Sequence, residues 1–183
     1  MRVISGTARG RRLKELQGMD TRPTTDKVKE AVFSAIQFSV EGARVLDLFA
    51  GTGQLGIEAL SRGAEHAVFI DSRREAAQLV RDNLALTGLA ERAQVLCGDA
   101  LGYLSSAQTR FDLVFLDPPY ASGLLEQALA RITQGDLVAP GGLIVAESAL
   151  EKALPEPAAP YRVYRDYRYG KIKVTIWQRE AEA

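Results

Sequence analysis

Asp47-Leu-Phe-Ala-Gly51-Thr-Gly53-Gln-Leu-Gly56 continues a short aliphatic run that begins at Arg44 and leads into a helical pattern. Glycines at a strand-to-helix turn let the backbone approach a ligand without Cβ clashes and aim the helix N–H groups at it. The spacing Gly51-x-Gly53-x-x-Gly56 thus predicts a parallel strand, a ligand-cradling turn and a crossover helix, the first unit of an open α/β sheet. Four further β-branched and aliphatic runs follow, at 67–71, 93–97, 111–117 and 142–147. Helical patterns separate them. In 73–87, for instance, Ala76, Val80 and Leu84 share one stripe and Gly88 stands where a C-terminal stop belongs. Strands apolar on both faces and separated by helices predict a mostly parallel sheet covered on both sides.

Outside this core, Val28, Ala31, Val32, Ala35 and Ile36 keep the helical period, with Thr24, Thr25 and Asp26 available as caps. The first 17 residues read as a short hairpin turning near Gly6 to Gly10. After a loop at 153–160 that holds three of the seven prolines, the stretch from Tyr161 reads as two strands joined near Tyr169–Gly170. The sheet then has seven strands. With 183 residues the expectation is one domain, 1–183, made of a basic hairpin extension (1–21) on a core (22–183).

Composition excludes several chemistries. One histidine (His66) and one cysteine (Cys97) rule out zinc clusters, disulfide frameworks and dithiol redox motifs, and no metal site is expected. Cys97 is expected as a small core residue and His66 as a loop residue before the second strand. No apolar run approaches the roughly 20 residues that cross a bilayer, and the N-terminal stretch does not read as a signal peptide, so a cytoplasmic protein without membrane association is expected. Charges balance at 23 basic and 23 acidic, yet they segregate: residues 1–30 carry +4, 161–179 carry +5 and 31–160 carry −7. Two basic ends on one small domain can converge into a phosphate-binding patch; a solvated charge run is the plainer alternative.

The glycine loop alone admits any adenosine-type cofactor. Asp71 lies 20 residues after Gly51 at the end of the second strand, placed to bind ribose hydroxyls. Asp47 would oppose a pyrophosphate but suits a cationic ligand. Asp99, after the third strand, can accept a hydrogen bond from an adenine amino group, or simply cap a helix. Positive centre, ribose and adenine together describe S-adenosylmethionine.

The fourth strand ends in Asp117-Pro118-Pro119-Tyr120. In an open sheet that strand adjoins the first across the topological switch, so the tetrapeptide should face the cofactor. Two prolines withhold N–H donors, leaving the Asp117 carboxylate and the Pro118 carbonyl as acceptors beside an aromatic plane. Such a set can grip an exocyclic NH₂, turn its delocalised lone pair toward a methyl donor and stack the base on Tyr120. A rigid Pro-Pro turn closing a strand is the structural alternative.

These motifs resemble the class I S-adenosylmethionine-dependent amino-methyltransferases. More narrowly, ISGTARGRRL (4–13), RPTTDKVKEAVF (22–33), DLFAGTGQLGIEALSRGA (47–64), DPPY (117–120) and YRYGKIKVTIW (167–177) resemble the bacterial 16S ribosomal RNA guanine(966)-N2 methyltransferase family over essentially the whole chain. The resemblance implies the Rossmann-like class I methyltransferase fold and methyl transfer to guanine N2 in small-subunit ribosomal RNA. It also implies an assembled particle, or an assembly intermediate, as the partner of a monomeric enzyme. By the same resemblance Asp47, Phe49, Ala50, Gly51, Thr52, Gly53, Gly56, Asp71, Ser72, Asp99 and Ala100 would bind the cofactor, and Asp117, Pro118, Pro119 and Tyr120 would hold the base. Arg9, Arg11, Arg12, Lys14, Arg22, Lys171 and Lys173 would contact RNA phosphates, which position an RNA without reading its sequence. The residues by themselves leave open an adenine-N6 methyltransferase acting on DNA or another RNA, a nicotinamide-dependent oxidoreductase and a non-catalytic RNA-binding module.

Overall fold

The computed structural model describes residues 1–17 and 25–182. Its elements in chain order are α1 (Asp26–Ala35), β1 (Arg44–Asp47), α2 (Gln54–Ser61), β2 (His66–Asp71), α3 (Arg74–Thr87), β3 (Ala93–Cys97), α4 (Ala100–Ser106), β4 (Phe111–Leu116), α5 (Leu124–Gln134), β5 (Val138–Ala149), β6 (Tyr161–Tyr169) and β7 (Ile172–Arg179). The strands form one sheet in the order β3-β2-β1-β4-β5-β7-β6. The first five are parallel, and β7 and β6 close the far edge antiparallel. This is the Rossmann-like, mostly parallel seven-stranded arrangement anticipated from the sequence. The switch point lies between β1 and β4, whose Asp47 and Phe115 pair in register.

Alternation along the strands divides the core. On one face Val45, Phe69, Leu113, Phe115 and Val145 pack with Val28, Val32 and Phe33 of α1, Ile57 and Leu60 of α2, and Val80 and Leu84 of α3. On the other, Leu46, Ile70, Val114, Ile144 and Trp177 pack with Leu104 of α4 and with Leu125, Ala128, Leu129 and Ile132 of α5. Helix ends follow the sequence signals. The Thr25 side chain accepts from the Val28 N–H at the start of α1, and Gly88, at φ 71°, closes α3 in the left-handed conformation.

The N-terminal hairpin is docked on the sheet's helical face. One antiparallel bridge, Arg2 to Arg12, joins its arms. Val3, Ala8 and Leu13 sink into the α1–α2–α3 side of the core at 1%, 3% and 6% exposure. The packing is close: a Cβ on Gly6, where φ is +88°, would stand 1.8 Å from the Ser61 carbonyl oxygen. Two smaller expectations also change. Cys97 is exposed, because the edge strand β3 has no neighbour beyond it. His66 is the first residue of β2, paired with Arg44.

Candidate active site at the carboxyl ends of the parallel strands

Asp47, Asp71 and Glu147 close β1, β2 and the parallel stretch of β5, and Asp117 follows β4 directly. Phe69, Phe115 and Val145 belong to the α1–α2–α3 side of the core. Two residues further along, the pleat returns to the same side at Asp71 and Glu147, as it does at Asp47 two residues after Val45. Three carboxylates thus share one face of the sheet, and Asp117 follows β4 at the same edge.

The glycine loop is held from both directions. Asp47, 2% exposed, accepts the Gly56 N–H on Oδ2 at 3.0 Å. Asp71 accepts the Gly51 N–H at 3.0 Å. Gly56 has no room for a side chain, since a Cβ there would meet the Phe69 ring at 2.3 Å. Gly51 is different: at φ +59° a Cβ would face open space, so this stretch of backbone is bare toward the outside. At the start of α2 the buried Gln54 Oε1 has no hydrogen-bond partner among the described residues. A glycine backbone open on one side, an orphan acceptor in the helix that follows and acidic groups at neighbouring strand ends fit a polar, cationic adenosine cofactor. A diphosphate would meet the same acids unfavourably.

Individual placements refine the expected cofactor set. Asp47 braces the loop from beneath; burial pushes its carboxyl up to about 7 and the neighbouring Asp71 adds to the rise, against the Gly56 hydrogen bond. Asp71 also holds Arg73 in an ion pair of 3.1 Å, so a ribose hydroxyl would share this carboxylate with the guanidinium. Asp99 is the N-cap of α4 and accepts the Gly102 N–H at 2.8 Å. Helix capping is therefore its observed contact, and an adenine amino group would be a second one. Phe49, Ala50, Thr52 and Gly53 lie along the loop, Ser72 follows Asp71, and Ala100 opens α4.

A raised Asp47 pKa means the native state holds a proton that the unfolded chain releases near pH 4. Stability from this residue is fully present below that pH and is lost as pH climbs toward 7, at up to about 1.4 kcal/mol per unit. Asp47→Asn keeps an acceptor for Gly56 and removes the titration. Urea unfolding should therefore find the variant gaining on the parent chain between pH 5 and pH 8; curves that stay parallel would contradict the assignment.

In the tetrapeptide, Pro118 is buried, Pro119 exposed, and Asp117 and Tyr120 lie between these extremes. No hydrogen bond to the Pro118 carbonyl is found among the described residues. The Tyr120 hydroxyl donates to Glu147 Oε1 at 2.7 Å, and Glu147 is 7% exposed. Sequence reasoning passed over Glu147 as the tail of an aliphatic run. Its signal was an acid at a strand end, the feature that singled out Asp47, Asp71 and Asp117.

Of the expected RNA contacts, Arg9, Arg11, Arg12 and Lys14 are exposed on the hairpin and the segment that leaves it. Arg11 also reaches the Leu86 carbonyl at 3.4 Å. Arg22 lies outside the described residues. Lys173 does not join the patch: it alternates with Val174 onto the opposite face of the sheet, and its Nζ donates to the Lys152 carbonyl at 2.7 Å. Lys171 is exposed at the β6–β7 turn. In β6, Tyr161 is buried and the Tyr167 and Tyr169 rings stack at 6.3 Å.

The sheet order, the loop at the switch point and the acidic strand ends are those of a Rossmann-like class I methyltransferase. The chain belongs to the family described as Conserved hypothetical protein 95, whose model matches residues 1–178. Among its relatives is Ribosomal RNA small subunit methyltransferase D of Escherichia coli, 37% identical over 100% of this chain and 91% of that protein. YlbH of Bacillus subtilis is 46% identical over 98% of this chain and 99% of its own length. The solved structure of yhhF from Escherichia coli superposes with a TM-score of 0.90 at 36% identity, covering 100% of this chain and 99% of that one.

Proposed function

We propose that this chain transfers a methyl group from S-adenosylmethionine to the exocyclic N2 amino group of one guanine in 16S ribosomal RNA, acting as a single-domain monomer on an assembled or assembling small subunit. The observation that carries the reading is the Asp117-Pro-Pro-Tyr120 segment following β4, the strand that pairs with β1 where the glycine loop begins. The relatives' names supply the substrate class.

S-adenosylmethionine, when bound, supplies an electrophilic methyl carbon on a positively charged sulfur. The glycine loop, Asp71 and Asp99 would hold it, with Asp47 bracing the loop. The remaining work falls to acceptors. An aryl amino nitrogen is a poor nucleophile because its lone pair is delocalised into the ring. Asp117 and the Pro118 carbonyl accept its two N–H groups, which favours pyramidal geometry and fixes the direction of the lone pair. Tyr120 stacks on the extruded base. The nitrogen gains a methyl group and sheds one proton, which the Asp117 carboxylate is placed to receive. Orientation of this kind lowers a barrier by several kcal/mol.

Nucleoside mass spectrometry of ribosomal RNA from cells with and without the gene tests the proposal. Loss of one N2-methylguanosine is expected. Loss of a methylated adenosine instead would favour the adenine-N6 reading.

The exposed hairpin arginines supply the phosphate contacts. Replacing Arg9, Arg11 and Arg12 together with Ala removes three cations, so the slope of log affinity against log salt should flatten by about two to three. Filter binding to small-subunit RNA across a salt series reads this, and an unchanged slope would move the RNA surface elsewhere.

A further inference from the structure

The arrangement of Asp117 leaves the choice of base unexplained, because adenine, cytosine and guanine all offer an exocyclic NH₂ to two acceptors. What differs is the neighbouring ring position. Guanine carries N1–H, a donor, beside its amino group. Adenine at N1 and cytosine at N3 carry a lone pair there. A site that selects guanine therefore needs a second acceptor next to the one that holds the amino group.

Glu147 stands at that place. Leu116 and Ala146 pair in register on the parallel strands β4 and β5, so Asp117 and Glu147 directly follow a paired position on adjacent strands. Glu147 is 7% exposed, and its Oε1 receives the Tyr120 hydroxyl at 2.7 Å. That contact joins the carboxylate to the ring on which the base would stack.

We propose that Glu147 is the specificity-determining residue of the site: its carboxylate accepts guanine N1–H while Asp117 and the Pro118 carbonyl accept the N2 hydrogens. Adenine or cytosine in the same pose would set a ring lone pair against a carboxylate in a largely desolvated position. Selection then comes from repulsion of the wrong bases as much as from attraction of the right one. Tyr120 acts through its hydroxyl as well as its ring, aiming the carboxylate at the base edge. The inference rests on the methyltransferase reading above, and it adds the group that tells one base from another.

The test separates the two. The wild-type chain first locates the methylated position in small subunits from cells lacking the gene; absence of any methylated guanine there overturns the functional reading itself. Particles are then reconstituted with 16S RNA carrying either guanine or 2-aminopurine at that position. 2-Aminopurine keeps the 2-amino group but has a lone pair at N1. Wild-type kcat/KM should favour guanine by about 100-fold or more, since a site built to hydrogen-bond a donor rejects an analogue lacking it. Glu147→Gln, which keeps an acceptor for Tyr120 and adds a donor, should lose about 100-fold on guanine and less than about 3-fold on 2-aminopurine. Equal losses on both substrates would reduce Glu147 to a brace for Tyr120 and overturn the assignment, as would an undiminished rate on guanine. Should the Gln variant fail to fold, the wild-type comparison decides: near-equal rates on the two bases overturn the proposal.

Discussion

Asp117→Ala is expected to lower methyl transfer by about 10³-fold or more, with cofactor affinity by calorimetry within a factor of two or so. The separation of the two readouts follows from where the carboxylate sits. Asp117 follows β4, directly beyond Leu116, while the residues that brace the glycine loop, Asp47 and Asp71, lie on β1 and β2. Removing the Asp117 side chain leaves every one of those loop hydrogen bonds in place. What disappears is an acceptor that matters most as the amino nitrogen becomes pyramidal and positive. An interaction that strengthens toward the transition state appears in kcat, and its loss does not weaken ground-state binding in proportion. Asp117→Asn retains one acceptor and should fall between wild type and Ala. Turnover within tenfold of wild type for the Ala variant would remove Asp117 from the reaction. A parallel collapse of cofactor affinity would instead make it part of the cofactor cradle.

Much of this geometry is legible in the sequence. Parallel strands, the switch point and the glycine loop follow from local rules: apolar runs of five or six residues, Gly at positions needing positive φ or close approach, and helices between. Asp47, Asp71, Asp99 and Asp117 are located in the same way as acids at strand ends, and Glu147 is the one passed over. What the sequence did not disclose is the use to which neighbours put those acids. Asp71 reads as a ligand group, yet its carboxylate is shared with Arg73, whereas the capping alternative open for Asp99 is the contact it makes on α4. Such contacts depend on which N–H or guanidinium happens to lie within 3 Å, and no periodicity encodes that. Lys173 shows the same limit from the other side. Its charge counted toward a basic patch, whereas strand alternation turns it away from the hairpin. The burial of the hairpin was hidden for a third reason: Val3, Ala8 and Leu13 are too widely spaced to form an amphipathic pattern, and only the tertiary fold brings them together.

That burial makes Glu58→Ala the substitution with the largest expected cost in stability. The Glu58 side chain, on α2, is fully buried and gathers contacts from three directions. The Ile4 and Ser5 N–H groups of the hairpin donate to it at 2.9 and 3.1 Å. Arg62, one turn along the helix, pairs with it at 2.9 Å. Lys29 of α1, also 0% exposed, sits 4.0 Å away and donates in turn to the Arg2 carbonyl at 2.6 Å. Burial holds the Lys29 pKa below its ordinary value, and Glu58 is the largest influence restoring it. Truncating Glu58 therefore strands a buried ammonium and two hairpin N–H groups together, a loss of about 3–5 kcal/mol. The hairpin should come away first, because the Ile4 and Ser5 N–H groups lose their acceptor and what still holds it is its apolar side chains with the hydrogen bonds to Ser61, Asn83, Leu86 and Lys29. The strands keep the core on their other face, against α4 and α5, to which the hairpin contributes nothing, and should persist. Hydrogen exchange should then show residues 3–13 losing protection well before β1 and β4, with RNA affinity falling and cofactor affinity nearly kept. Pairing Glu58→Gln with Lys29→Met removes both charges at similar volume and should recover most of the stability. Failure of that pair to recover, or uniform loss of protection across the sheet, would show that the carboxylate supports the whole fold and not the hairpin docked upon it.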